Sequence, residues 1–347
     1  MILFIKRYFF EFKYFIRFRL PDRHWQYFAK FVQSFRDHKY QEIQKSYGEL
    51  NPNLTFFVIR RRPPAWGYFS NVNYVLQGIL YAEKNGYIPI VDMENYWVAE
   101  LSSRDKINGT YNAWCYLFNQ ISNYSLDEVY KSKNVILSRG AKILQSDHWF
   151  SNRQLLFMTD SDKLQIVANL VKKYLVLNES SQNYIKAKKQ ELDWNGNDAI
   201  GVFVRGTSYL SYKGAQAPSA SLEFIISSIK ELLNDRSINK LFISTEDFFI
   251  YCKLCEAFDD KIIIPSLRHP KNMTVEKWLN NQKLTFDDAI ILGYEKTLIY
   301  LAEIFLLSDC SSFIGTLSNA SAFALALNDN NYKDCRVILQ NTVKVLK

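Results

Sequence analysis

Three short segments carry residue types that could do chemistry together: Val204-Arg205-Gly206-Thr207-Ser208, Ser244-Thr245-Glu246-Asp247, and Gly315-Thr316-Leu317-Ser318-Asn319-Ala320-Ser321. In the first, an arginine follows an apolar run and is followed by glycine. That order presents a planar guanidinium fork to a phosphate while letting the backbone approach closely. In the second, paired acids follow a β-rich run and precede a helical one. Thr245 is expected to cap that helix, which leaves a carboxylate to accept two parallel N–H bonds, the pattern a guanine edge offers. In the third, hydroxyl and small residues open onto an apolar helix, where free N–H groups and the helix dipole favour an anion. Each segment alone reads equally well as a turn or cap. Together they point to a nucleoside-diphosphate site.

These segments need elements to position them. Leu54–Ile59 reads as a first strand, leading through the Arg60-Arg61-Arg62-Pro63-Pro64 loop to a helix capped by Ser70 or Asn71 and running to about Lys84. Tyr87–Asp92 is the next strand, and 160–193 is helical by periodicity. Trp194-Asn-Gly-Asn-Asp198 breaks the chain. A second alternation follows: strands at 200–204, 241–244, 262–264, 312–315 and, as the last, 336–339, with helices at 219–233, 247–258, 297–307 and 318–327. The expected fold is therefore α/β, with two Rossmann-like domains facing a cleft, at 50–194 and 195–347. In such sheets ligands sit beyond the carboxyl ends of strands, where all three segments fall.

The first 40 residues stand apart. They hold nine basic and three acidic side chains, so six of the net eight positive charges of the 347-residue chain lie there. Charges at 6, 7, 11, 13, 17 and 19 interrupt residues 1–20, which excludes a membrane span of about 20 apolar residues. On a helix, Lys6, Lys13 and Arg17 share a stripe, with Phe4, Tyr8, Phe12, Phe15 and Ile16 largely opposite. Residues 1–40 are thus expected to form a basic, aromatic, amphipathic N-terminal helical segment. Residues 1–20 either contact an anionic membrane surface or pack on the body. The remainder is close to neutral, which argues against a nucleic-acid partner. Five cysteines and four histidines lack metal-ligand spacing, Cys252 and Cys255 read as two positions of one helix, and no metal is expected.

The order VFVRGTSYL … FISTEDF … LLSDCSSFIGTLSNASAFAL resembles the donor-domain motifs of fucosyltransferase-like glycosyltransferases of the GT-B type, a superfamily of α1,6-, nodulation and protein O-fucosyltransferases. The segment NVNYVLQGILYAEKNGYIPIVDMENYW, with NAWCYLF at 112–118, is similar to the first half of bacterial surface-polysaccharide members. The resemblance spans about 54–340. It implies inverting, metal-independent transfer of fucose or a related sugar from a GDP-sugar, with no further cofactor, to a glycan or lipid-linked glycan. The setting it implies is cytoplasmic, peripheral to the inner face of the membrane.

The resemblance further implies that Arg205 holds the donor diphosphate and offsets leaving-group charge, with Gly206 beside it. It implies that Glu246 reads guanine, that Thr245 and Asp247 support it or bond the ribose, and that Thr316, Ser318 and Asn319 contact phosphate. Asn71, Asn73 and Tyr74 would face the cleft. The chain departs from the pattern at Phe203, Gly206 and Ser208, where many relatives have His, a second Arg and Asp. It also lacks the acid that follows the motif in α1,6-fucosyltransferases. Asp92, Glu94 or the donor phosphate is left to take the acceptor proton, and Lys213 is either a second cation or a solvated loop lysine. A different donor (GDP-heptose or a UDP-sugar) and a catalytically silent membrane-associated partner protein are the alternatives.

Overall fold

The computed structural model describes residues 42–61, 67–96, 106–138, 156–206, 220–234, 238–259, 262–269, 273–274, 276–277, 286–339 and 342–346. The N-terminal segment 1–40, Thr207, Ser208 and Lys213 lie outside the described residues. Two sheets organise what is described. The first contains β1 (Ile43–Lys45), β2 (Leu50–Ile59), β3 (Ile88–Val91) and β4 (Ser132–Leu137) in the order β1-β4-β2-β3. Strands β3 and β4 flank β2 in parallel, and β1 runs antiparallel to β4. Helix α1 (Tyr68–Lys84) joins β2 to β3, and Gly67 begins it at φ 73°, a backbone value that favours glycine. Neither Ser70 nor Asn71 caps α1 as expected. Both lie within its first turn, and no side chain caps it.

Helices α2 (Ser161–Tyr174) and α3 (Glu179–Glu191) follow, each started by a side-chain cap: Asp160 accepts from the Lys163 N–H and Asn178 from the Ser181 N–H. The second sheet comprises β5 (Ala199–Phe203), β6 (Lys240–Ser244), β7 (Ile263–Ile264), β8 (Ser312–Thr316), β9 (Asp334–Leu339) and β10 (Thr342–Leu346), in the order β10-β9-β8-β5-β6-β7. Its helices are α4 (Leu222–Leu232), α5 (Phe248–Ala257), α6 (Phe286–Asp309) and α7 (Asn319–Asn328). The chain places β6 and β7 on one side of β5, then crosses to place β8 and β9 on the other. That reversal is a topological switch point, with the ends of β5, β6 and β8 around it.

The two-residue period of β5 decides what each face meets. Ile200 and Val202 point toward Ile225, Ile229 and Leu254 of α4 and α5, whereas Ala199 and Phe203 face the larger core with Leu301, Leu307 and Phe323 of α6 and α7. That larger core continues into the first half. Phe69 of α1 lies 5.3 Å from Phe323 (ring centroids), and Phe118 stacks on Trp114 at 4.9 Å and meets Phe323 edge-on at 6.4 Å. Helix α7 packs against α1, α2 and α6, so one helical layer serves both sheets.

Further features differ from the sequence reading, and strand β1 is one that it lacks. Strand β4, paired with both β1 and β2, is absent from it, because Lys133 and Asn134 interrupt the apolar pattern at an end of the strand that reaches the surface. The strand at 336–339 is not the last, since β10 folds back antiparallel onto β9. Helix α6 begins at Phe286, well before the expected Thr297. Phe118 is fully buried at the junction of both halves. Phe118→Ala is expected to cost about 3–5 kcal/mol in chemical denaturation, in one cooperative transition that reports both halves.

Candidate functional site

The site is built at the switch point of the second sheet. Beyond Phe203, the Val204 N–H donates to the Ser244 carbonyl at 3.1 Å, and the Arg205 N–H donates to Thr316 Oγ1 at 3.1 Å. These two bonds tie the loop after β5 to the ends of both neighbouring strands. The Arg205 guanidinium then turns toward Glu246, with Nε 3.4 Å from Oε1. That separation is longer than a consolidated charge-assisted hydrogen bond. The two side chains are 37% and 33% exposed, so the pair is open to a ligand. Gly206 makes the arrangement possible, because a Cβ there would lie 3.0 Å from both Cγ and Cδ of Glu246.

Glu246 Oε2 is buried and has no hydrogen-bond partner among the described residues. A buried carboxylate oxygen without a donor is costly, so this atom is arranged to accept from something that binds. Asp247 is differently used. It, and not Thr245, caps α5, its Oδ1 accepting from the Phe249 and Ile250 N–H groups at 2.9 and 3.1 Å. Thr245 is fully buried, and its Oγ1 accepts the Asp247 N–H at 3.2 Å. The paired acids thus divide between an inward-facing cap and an available acceptor.

In the third segment Ser318 caps α7, accepting the Ser321 N–H at 3.0 Å, and the Ser321 hydroxyl donates to the Thr316 carbonyl at 2.6 Å. Asn319 accepts from Asn73 Nδ2 at 3.0 Å, a direct bond between the starts of α7 and α1. Of the three first-half residues expected at the cleft, only Asn73 makes that connection. Tyr74 is buried and donates its hydroxyl to the Arg60 carbonyl, and Asn71 is buried against Arg61.

Residues not singled out in the sequence complete the surroundings. Glu303 of α6 is fully buried and accepts from Ser244 Oγ at 2.9 Å, Ser266 Oγ at 3.3 Å and the Arg268 N–H at 3.2 Å, besides pairing with the Arg268 guanidinium. Burial opposes the Arg268 charge, but Glu303, Tyr300 and Glu246 together outweigh it and raise the Arg268 pKa. The same guanidinium lies over the Tyr300 ring at 4.3 Å, and Tyr300 stacks on Phe203. Phe203 thus belongs to an aromatic floor with an arginine beneath it. His269 bonds through Nε2 to the Thr245 carbonyl at 2.9 Å between Phe248 and Tyr251. Arg268 and His269 follow an irregular loop with no motif of their own; only their position after β7 could have drawn attention to them.

Of the two carboxylates after β3, Asp92 is fully buried and accepts from Tyr130 Oη at 2.6 Å, Asn95 Nδ2 at 3.1 Å and the Glu94 and Asn95 N–H groups. It organises the turn and is not an open base. The Glu94 carboxyl is raised in pKa by burial and by Asp92. Among the described residues, no group of three or more His, Cys, Asp or Glu side chains could hold a metal, and no helix is long and apolar enough to cross a membrane.

No protein-family model matches the chain, and no curated protein sequence matches it. Among solved structures it is similar to the NodZ α1,6-fucosyltransferase co-crystallized with GDP, at 14% identity and TM-score 0.49, over 85% of this chain and 98% of that one. A similar likeness holds to fucosyltransferase NodZ from Bradyrhizobium, at 14% identity and TM-score 0.49, over 85% and 99%. For POFUT1 in complex with GDP the values are 11% identity and TM-score 0.44, over 83% and 98%.

Burial lowers the His269 pKa below the ordinary value near 6.5, the Thr245 carbonyl partly opposing it. A histidine depressed by folding stabilises fully above its unfolded-state value and less as pH falls below it. The melting temperature is therefore expected to fall between pH 7.5 and 5.5, and to fall less in His269→Phe, which removes the titrating ring and keeps the aromatic packing.

Proposed function

We propose that this chain is a glycosyltransferase that takes a sugar, fucose or a related one, from a GDP-linked donor. The observation that carries this reading is the open Arg205–Glu246 pair at the switch point, with a buried Glu246 oxygen that has no donor of its own. Guanine supplies two parallel N–H groups to such a carboxylate, and uracil does not. Arg205, the backbone beside Gly206, Thr316 and the hydroxyl-rich start of α7 at Ser318 and Asn319 would receive the diphosphate. Thr245 and Asp247 would hold Glu246 in place. In this reading residues 195–347 bind the donor, residues 50–194 bind the acceptor, and the basic segment 1–40 brings the enzyme to a membrane surface carrying a bacterial glycan or lipid-linked glycan.

The step is an inverting displacement. The acceptor oxygen forms a bond to the anomeric carbon as the bond from that carbon to the phosphate oxygen breaks, and the electron pair leaves with GDP. Negative charge grows on the departing oxygens, so Arg205 stabilises the transition state more than the bound donor. No metal is required in this scheme. The acceptor proton passes to Glu94 or to the departing phosphate.

Calorimetry without added metal tests the donor. GDP is expected to bind and UDP at least about tenfold more weakly, with Glu246→Gln weakening GDP about tenfold and leaving UDP unchanged. Arg205→Ala is expected to weaken GDP and to lower transfer by about 10²–10³-fold. Equal binding of GDP and UDP would remove the guanine assignment, and binding of neither by folded protein would favour the silent partner.

A pH–rate profile separates the two proton acceptors. If Glu94 accepts the proton, kcat/KM rises with pH through a midpoint above the usual glutamate value of about 4.3, and Glu94→Gln abolishes both the limb and most of the rate. An unchanged profile in Glu94→Gln assigns the proton to the donor phosphate.

A further inference from the structure

We propose that Arg61 is a substrate-anion receptor, binding a phosphate or carboxylate group of a ligand in the crevice beyond β2. The proposal deepens the glycosyltransferase reading by adding a recognition point on the half opposite Arg205. Its chemistry does not depend on which nucleotide that reading names.

Arg61 stands two residues past the end of β2, whose neighbours β3 and β4 lie on opposite sides and are reached one after the other. This is the switch point of the first sheet, the counterpart of the position Arg205 holds in the second. The side chain crosses the first turn of α1. Nη1 donates to Ser70 Oγ at 3.1 Å and to Asn71 Oδ1 at 2.9 Å, and the guanidinium lies 5.2 Å from the Tyr74 ring centroid. Both acceptors are neutral. Among the described residues its hydrogen bonds use Nη1, which leaves Nε and Nη2 of the fork that matches a carboxylate or phosphate edge.

Two arginines show how this chain treats a partly buried guanidinium when its task is structural. Arg268 pairs with Glu303, and Arg336 with Glu231 and Asp334. Arg61 has no carboxylate partner among the described residues. It also sits at the positive end of α1, whose first turn contains no acidic residue and whose start has no side-chain cap. A cation is disfavoured there. Burial lowers the Arg61 pKa, and among the described residues only Tyr74 opposes it. A charge held at such cost to the unliganded protein is balanced when a ligand anion arrives.

The Asn73–Asn319 bond joins this turn of α1 to the start of α7. The anion therefore has two sources: the distal phosphate of the donor, or an acidic group on the acceptor. The same experiment separates them. Wild type, Arg61→Gln and Arg61→Lys are titrated calorimetrically with GDP. Inorganic phosphate and glucuronate, with methyl glucuronate ester as the uncharged control, are then titrated into GDP-free and GDP-saturated protein by NMR, and melting temperatures are taken throughout.

Arg61→Gln is expected to lose at least about tenfold in anion affinity, with Arg61→Lys intermediate. The unliganded melting temperature of Arg61→Gln is expected to be unchanged or raised, because a desolvated charge has been removed. A loss in GDP affinity, with no anion bound to GDP-saturated protein, assigns the donor phosphate. Unchanged GDP affinity, with glucuronate or phosphate bound to GDP-saturated wild type and absent from Arg61→Gln, assigns an acidic acceptor. Should wild type bind no nucleotide, loss of phosphate or glucuronate binding in Arg61→Gln still supports the receptor while the donor reading fails. Equal anion affinities in wild type and Arg61→Gln overturn the proposal, as does a lowered melting temperature in Arg61→Gln with no difference in any anion affinity.

Discussion

A carboxylate with no exposed surface sits in the middle of α6, and the second half of the molecule is arranged around it. Burying Glu303 there is tolerated because hydrogen-bond donors surround it: the Ser244 and Ser266 hydroxyls, the Arg268 backbone N–H and the Arg268 guanidinium. Each donor belongs to a segment that would otherwise be loosely held. Ser244 is the last residue of β6, and Ser266 and Arg268 lie in the irregular stretch after β7. Satisfying one buried charge therefore fixes where β6 ends, where the next loop returns, and where Tyr300 is clamped between Arg268 and Phe203. Glu246 is two residues beyond Ser244, so its reach toward Arg205 is set by the same charge.

In the proposed sugar transfer that arrangement acts through preorganisation. Groups that stabilise a developing negative charge work best when they need not move as the charge appears. The Arg205 backbone is tied to Thr316, and Thr316 through its carbonyl to Ser321 of α7. The side chain, by contrast, faces Glu246 with Nε 3.4 Å from Oε1. A tied backbone with the Arg205–Glu246 pair set at that distance suits a ligand that inserts between the two, with its anionic part on one and its N–H groups on the other.

Much of the second sheet was legible because its strands are short apolar runs bounded by turn residues, and the three loops of interest sit at their ends. Period-two alternation places Ile200 and Val202 on one face and Phe203 on the other without reference to any structure. The misses have local causes. Strand β4 carries Lys133 and Asn134 at its exposed end, and its pairing with β2 is supplied by tertiary context and not by pattern. Asp247 and Thr245 are both competent caps, and only backbone geometry decides between them. Glu303, Arg268 and His269 come from separate stretches whose meeting depends on the return of the chain after β7, and spacing in sequence carries no trace of it. Arg61 was visible as one of three consecutive arginines in a loop. Its lack of a carboxylate is a property of three dimensions.

The shared aromatic core limits how the two halves work together. Phe69 and Phe118 from the first half pack on Phe323 of α7, and the Asn73–Asn319 bond lies beside that contact. Separating the halves would expose several aromatic rings, each burying a large apolar area. The starts of α1 and α7 are thus held together at the cleft, both with hydroxyl or amide side chains in the first turn. Two helix N-termini meeting at one place concentrate positive potential there even before Arg61 and Arg205 are considered. Among the described residues Arg61 has no carboxylate partner, and Arg205 faces Glu246 across 3.4 Å, so both arginines are placed to meet the anionic ligand proposed for the cleft. The packing of the two halves on one aromatic core is what holds both arginines at the cleft.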